Sequence, residues 1–251
     1  MALNTQVLII GGGITGTAIA RDLAQNGFAV ALHHFRSETE AARLAKMLNV
    51  TGGRAAAFRA DLNDPDEAEE LFAAVRADLG PVDLLVNNAS FFEQDSAHYH
   101  EAGKWEAHFA IHARAPAQLA SLFAAQEELE SGLIVNMIDQ RVWRPNPNYF
   151  SYTLSKSVLW TSTRLLAQAL APKIRVNAIG PGPTLKSARQ EPEHFEAQIA
   201  GLPLKRGPEL DEFGATIRYF YDTPSVTGQM IALDGGQHLA WETPDIAGIP
   251  E

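Results

Sequence analysis

Val7-Leu8-Ile9-Ile10-Gly11-Gly12-Gly13-Ile14-Thr15-Gly16 is the stretch on which the fold turns. Four consecutive apolar residues read as a short strand buried on both faces. The glycines behind them have the spacing Gly11-x-Gly13-x-x-Gly16, and a helix-period segment, Ala18 to Gln25, follows and closes near Gly27. Glycine lets the backbone turn tightly, and a helix N-terminus presents oriented N–H groups that suit a phosphate. Strand, turn and helix in this order read as a dinucleotide-binding unit rather than a plain linking turn.

Outward from this unit the alternation continues. Strand patterns fall at Phe28 to His34, Arg54 to Ala60, Val82 to Asn87, Leu133 to Ile138, Ile174 to Ile179 and Met230 to Leu233. Helical patterns fall at Glu38 to Leu48, Pro65 to Asp78, about 104–128, Tyr149 to Leu170, 187–201 and 209–221. Apolar strands alternating with helices predict an α/β fold: one doubly wound parallel sheet, covered on both faces, in a single domain over residues 1–251. Ligands of such sheets sit beyond the carboxyl ends of the strands, near the reversal of strand order.

Composition removes several classes. With 20 Lys and Arg against 30 Asp and Glu, the net charge is −10, whereas a nucleic-acid binder carries a basic face. No apolar run approaches the roughly 18 residues of a membrane helix. The chain enters a strand pattern directly, without a secretory leader, so a soluble cytoplasmic protein is expected. There is no cysteine, which excludes disulfides, thiolate metal sites and cysteine nucleophiles.

The second strand ends in His33-His34-Phe35-Arg36-Ser37. An NAD site usually places an acid here for the ribose 2′-hydroxyl. Here the first acid is Glu38, whose charge counts against a phosphate. Arg36 can grip a 2′-phosphate with its fork, and Ser37 can donate to it while capping the next helix. NADP(H) is therefore favoured over NAD(H). Neighbouring strand residues point to opposite faces, so His33 and His34 read as structural, and no metal is expected.

Tyr152-Thr153-Leu154-Ser155-Lys156 sets a phenol and an ammonium one helical turn apart. At about 4 Å and an effective dielectric of about 20 their attraction is roughly 4 kcal/mol. That would bring a tyrosine from about 10 toward neutrality, where it works as a general acid or base.

Over essentially its full length the chain resembles the short-chain dehydrogenase/reductase family. The resemblance rests on the glycine turn, Asp61-Leu62 after strand three, and Asn87-Asn88-Ala89-Ser90 after strand four. It rests also on Tyr152 and Lys156, on Asn177 before Gly180-Pro181-Gly182, and on Asp234-Gly235-Gly236. These come in family order and spacing. The resemblance implies a Rossmann fold, a nicotinamide-dependent oxidoreductase and a homotetramer. It implies that Tyr152 is the proton donor and that Lys156 binds the nicotinamide ribose and lowers the tyrosine pKa. Gly11, Gly13, Ile14 and Gly16 would form the cofactor turn. Asp61 and Leu62 would flank the adenine, Asn88, Ala89 and Ser90 would line the cofactor, and Pro181 and Gly182 would lie against the nicotinamide.

Departures narrow the resemblance. Asp139 stands thirteen residues before the tyrosine, where most members place a serine. With His33-His34-Phe35-Arg36-Ser37 and Asn87-Asn88-Ala89-Ser90-Phe91-Phe92 it is similar to pteridine reductases and bacterial dihydromonapterin reductases. That implies Asp139 works with Tyr152 in proton delivery, Phe92 stacks on a pterin, and Ser90 also meets substrate. A carboxylate suits the forked, guanidine-like edge of a pterin. Two features differ. The glycine turn is one residue shorter than the family's and lacks the arginine that pteridine reductases carry there, so pyrophosphate binding would rest on backbone N–H groups. His112 stands where the family places a relay asparagine; a histidine could bond a carbonyl or water and make the relay pH-sensitive, or serve simply as a core residue. The resemblance makes 184–206 a substrate lid, while the tail over 239–251, with Trp241, Pro244 and Pro250, would wrap a neighbour or be disordered. Three readings follow: an NADPH-dependent pterin reductase, a general carbonyl or alcohol oxidoreductase favoured by the missing arginine, and a nucleotide-sensing regulator, against which the Tyr152–Lys156 pair argues.

Overall fold

The computed structural model describes residues 5–186, 191–242 and 247. Its strands are β1 (Gln6–Ile10), β2 (Ala29–His34), β3 (Arg54–Arg59), β4 (Leu84–Asn87), β5 (Gly132–Met137), β6 (Ile174–Pro181) and β7 (Met230–Leu233). Its helices are α1 (Ile14–Gln25), α2 (Glu38–Val50), α3 (Pro65–Leu79), α4 (Ala102–Phe109), α5 (Ala115–Ala124), α6 (Phe150–Ala169), α7 (Pro192–Ala200) and α8 (Leu210–Asp222). All strands pair in parallel in the order β3-β2-β1-β4-β5-β6-β7. This is the doubly wound α/β sheet, a Rossmann fold, that the alternating pattern predicts.

Strand side chains alternate between faces, so β1 feeds two cores. Val7 and Ile9 pack with Leu23 of α1, Leu44 of α2 and Phe213 of α8. Leu8 and Ile10 pack oppositely, with Phe72 of α3 and Leu119 of α5. Each such side chain contributes roughly 1.5–3 kcal/mol relative to exposure, which holds the sheet between its helix layers. Local chemistry sets the helix ends. Pro65 occupies the first turn of α3, where the Asp64 carboxylate accepts from Asp66 N–H at 2.9 Å, and Gly80 with φ 99° ends it.

Three boundaries differ from the sequence pattern. α1 begins at Ile14, within the glycine turn, because Gly13 already serves as its N-cap. The helix expected over about 104–128 is α4 and α5 joined by a wide π-turn over Ala110–Arg114. Pro116 follows that turn in the first turn of α5; it lacks the N–H that would continue the ladder, and its ring crowds the preceding turn. The same helix stops at Ala124 because the buried Gln126 amide bonds Val82 on both its backbone groups. The segment expected helical over 187–201 gives α7 from Pro192; residues 187–190 lie outside the described residues, as do 243–246 and 248–251 of the expected tail.

Strand order reverses at β1, which lies between β2 and β4. Ile10 aligns with Asn87, and Asn87 with Asn136. The segments leaving β1, β4 and β5 therefore open level with one another into a single crevice.

Candidate active site

The crevice is a cleft of about 640 Å³ whose floor is the glycine turn. Gly11 has φ 94°, and a Cβ there would meet Ala89 Cα at 2.6 Å, so only glycine fits. Asn88 ties the turn down by donating its amide N–H to Gly11 O at 2.8 Å. Gly16 lies beneath the turn rather than on the cleft wall; a Cβ would collide with Gly11 O. Gly13 and Ile14 do line the cleft, and a Cβ on Gly13 would meet no atom within 4 Å. A side chain there would fill the cleft, so the bare backbone leaves the room that a pyrophosphate at a helix N-terminus needs. His33, taken above as structural, locks the turn from below. Its Nδ1 accepts from Gly11 N–H at 3.0 Å, so Nε2 carries the proton and donates to Ala60 O at 2.9 Å. Burial holds this neutral ring down to about 4.

The far end of the cleft is formed by Arg36, Ser37, Asp61 and Leu62. Arg36 is exposed, with its guanidinium carbon 4.9 Å from the Phe35 ring centroid, and Arg59 approaches the same ring at 5.6 Å. Of the two, Arg36 lines the cleft, whereas Arg59 is paired with Glu67 Oε2 at 3.0 Å. Ser37 takes the N-cap position of α2, but its side chain makes no capping bond, contrary to expectation. The Asp61 carboxylate accepts from Asn63 N–H at 2.9 Å and from the Asn63 amide at 2.8 Å.

The candidate catalytic residues sit at the near end, on α6 and the turn after β5. The Tyr152 hydroxyl donates to Asp139 Oδ2 at 2.9 Å. The same carboxylate caps the short helix behind it, accepting Arg141 N–H on Oδ1 at 2.8 Å, and holds Arg141 Nη1 on Oδ2 at 2.9 Å. Asp139 therefore both caps a loop and meets the phenol. Arg141 and Tyr149 are functional candidates that sequence reading missed; the signal was an acid two residues before an arginine, a spacing that favours a cap. Phe92 stacks on Tyr149 at 4.6 Å and meets Tyr152 edge-on at 4.7 Å.

Lys156 turns toward the backbone of β5 rather than to the phenol hydroxyl. It is 2 % exposed, its Nζ donates to Met137 O at 2.8 Å, and it lies 5.8 Å from the Tyr152 ring centroid. Burial pulls its pKa down to about 8 against the opposing pull of Asp139. The Tyr152 phenol is not drawn toward neutrality. Burial first, and then the Asp139 charge, hold it well above its ordinary value, with Arg141 and the nearby Ser90 hydroxyl opposing. The phenol is thus kept in its proton-bearing form, which suits a donor.

Within the protein, His112 bonds a serine pair and a backbone N–H rather than a main-chain carbonyl. Its Nε2 accepts from Phe91 N–H at 3.2 Å and lies 3.0 Å from Ser90 Oγ. Nδ1 therefore carries the proton and meets Ser155 Oγ at 2.8 Å, and Ser155 donates to Tyr152 O at 2.8 Å. Burial, with the Lys156 charge, holds the ring well below its ordinary value, which favours the neutral form. His108, one turn earlier, bonds Ser151 at 2.7 Å in parallel. Two histidines thus clamp the first two turns of α6.

Asn88, Ala89, Ser90, Pro181 and Gly182 all line the cleft, as the sequence reading expected. Gly182 lets the end of β6 approach Asp234, whose Cα would lie 2.6 Å from an added Cβ. Phe92 lies instead on a second cavity of about 780 Å³, which meets the cleft at Asp139, Pro181 and Gly182 and extends to α7 in the expected lid.

A family model described as enoyl-(acyl carrier protein) reductase matches residues 12–238. The chain is 30% identical over 231 residues to an uncharacterized oxidoreductase, YjdA, of Bacillus subtilis, covering 89% of this chain and 92% of that one. FolM alternative dihydrofolate reductase 1 from Brucella canis, solved complexed with NADP, is 54% identical with a TM-score of 0.95, over 98% of each chain. Its Brucella suis counterpart, also in complex with NADP, is 54% identical with a TM-score of 0.94, over 98% of this chain and 99% of that one. With the glycine turn, the strand-end asparagines and the Tyr152–Lys156 helix in one crevice, and a family model matching nearly the whole length, this chain belongs to the short-chain dehydrogenase/reductase family.

Proposed function

We propose that the chain is an NADPH-dependent reductase that reduces a C=N bond of a pterin. The observation that carries this reading is the Asp139 carboxylate, which accepts the Tyr152 hydroxyl and a guanidinium N–H on one oxygen beside the Phe92 ring. An acid holding a forked N–H donor next to a proton-bearing phenol is the chemistry a pterin edge requires. The 54% identity to FolM alternative dihydrofolate reductase 1 supports the same reading.

When bound, the nicotinamide supplies the hydride. The backbone of Gly11 to Ile14 holds the pyrophosphate, and Arg36 and Ser37 hold the 2′-phosphate. Asp61 and Leu62 flank the adenine, Asn88 to Ser90 with Pro181 and Gly182 enclose the nicotinamide half, and Lys156 holds its ribose. Tyr152 gives its proton to the substrate nitrogen, while Asp139 orients the phenol and pairs with the pterin edge. Phe92 covers the ring and excludes water.

NADPH oxidation with dihydrobiopterin, beside aldehydes and ketones and with NADH as control, tests this. Turnover on the pterin with NADPH preferred is expected, and Tyr152→Phe should lower kcat by about 100-fold or more with NADPH affinity kept. Activity on carbonyls alone would replace this reading with that of a general oxidoreductase, which the absence of a basic residue in the glycine turn favours. We propose further that the chain forms a homotetramer, since Leu154, Val158 and Leu165 are exposed along one face of α6.

A further inference from the structure

The second cavity is larger than a flat bicyclic ring requires, and falls in the range that takes a drug-sized ligand. Its walls include Gln94, His194 and Gln237, so its far end is polar. Among the described residues lining it, Arg141 is the one arginine or lysine and Asp139 the one acid. These two are already paired at 2.9 Å, with side-chain exposures of 19% and 12%. The Arg141 guanidinium carbon also lies 5.4 Å and 5.0 Å from the Phe92 and Tyr149 ring centroids. A planar, forked N–H donor beside an aromatic ring and bonded to Asp139 is what the edge of a pterin would present at the same carboxylate. Arg141 thus stands in the free chain as an internal substitute for that edge.

We propose that Arg141 is a specificity residue with two partners: it holds Asp139 in the free chain, and exchanges that carboxylate for one on the tail of an incoming pterin, whose forked edge takes its place. The inference rests on the pterin reading above. Its physical basis is the cost of a mostly buried guanidinium left without a counter-charge. A bare pterin displaces Arg141 from Asp139 and leaves it unpaired. A pterin with an acidic tail displaces it and supplies a new carboxylate within the same cavity. The aromatic pair remains beside the guanidinium during the exchange. The site therefore selects a tailed pterin over a bare one, by a contact remote from the reacting bond.

Steady-state kinetics with NADPH on dihydrofolate, which carries a carboxylate tail, and dihydrobiopterin, which does not, test the exchange. Arg141→Met is expected to raise KM for dihydrofolate by about tenfold or more, the signature of lost binding, while any change in kcat through the shared Asp139 oxygen falls alike on both substrates. For dihydrobiopterin KM should stay the same or fall, since its internal competitor is gone. Arg141→Lys keeps the charge and should retain the preference for dihydrofolate. An equal change in KM on both substrates, or no change in KM for dihydrofolate, overturns the proposal. If the wild type reduces neither pterin, the substrate reading fails, and a separate titration decides on Arg141. Guanidinium chloride at low millimolar concentration should give a saturable tyrosine difference spectrum with Arg141→Ala and none with the wild type. That result supports Arg141 as the occupant of a guanidinium site at Asp139, and its absence overturns it.

Discussion

Single side chains here do more than their types announce. His33 is buried and neutral, bonded to Gly11 on one nitrogen and to Ala60 on the other. Its pKa in the fold is about 4, against 6.5 for the free side chain. The unfolded chain therefore binds the extra proton first as pH falls. The stability that depends on neutral His33 is intact above about pH 6.5 and is lost progressively as pH falls toward about 4. From pH 7 to 5 this amounts to about 2 kcal/mol for this one group. Denaturant unfolding at the two pH values should show that loss in the wild type, and His33→Asn should be less stable at pH 7 but lose about 2 kcal/mol less on acidification. Equal pH dependence in both would show that His33 does not carry it. The Tyr152 phenol illustrates the same rule with opposite consequence. Its neighbours in sequence promised an activated phenolate, but burial and a carboxylate hold the proton on.

At the scale of elements, the glycine turn separates two roles that the motif merges. Gly13 faces the cleft with open space around a would-be Cβ, whereas Gly16 packs against the turn's own backbone. Gly13→Ala should leave the melting temperature nearly unchanged and weaken NADPH binding, because its methyl enters the cleft. Gly16→Ala should lower both, because the Gly11 carbonyl and the Asn88 amide must move aside. Thermal melts with and without NADPH separate the two, and equal losses of stability would contradict the division. The turn after α4 carries a related lesson. Helical periodicity ran straight through it, yet Pro116 breaks the ladder and the chain widens into a π-turn that carries the buried His112. A proline at that point was a readable stop, but which carbonyl it would release and which side chain the wide turn would carry inward were not.

At the scale of the molecule, the sheet fixes the site and α6 leaves a face to be covered. Leu154, Val158 and Leu165 fall within one stripe of that helix and are 37%, 40% and 59% exposed. Light scattering on the eluting protein is expected to give four times the 27.3 kDa chain mass. Val158→Glu should reduce it to a smaller species, because an unpaired charge would be buried at the contact. A wild type that elutes as a monomer would leave this face without the partner assigned to it. No helix among the described residues is long and apolar enough to cross a membrane, so this apolar stripe is not part of a spanning segment.

The sequence alone determined the sheet, its parallel strands and the crevice beyond their ends. These follow from local signals: four-residue apolar runs, helical period, and glycine or proline at the turns. It also named the cleft residues, because a turn or strand end carries its neighbours along with it. Tertiary structure alone decided how those residues are wired. Register brings His33 under Gly11, the π-turn carries His112 to Ser90 and Ser155, and the fold offers Lys156 the Met137 carbonyl in place of the phenol. The Asp139–Arg141 pair is close in sequence, yet its meaning depends on the distant Phe92 and Tyr149 rings that enclose it. Protonation and pairing are set by burial and by groups far away along the chain, and neither quantity is written in a local pattern.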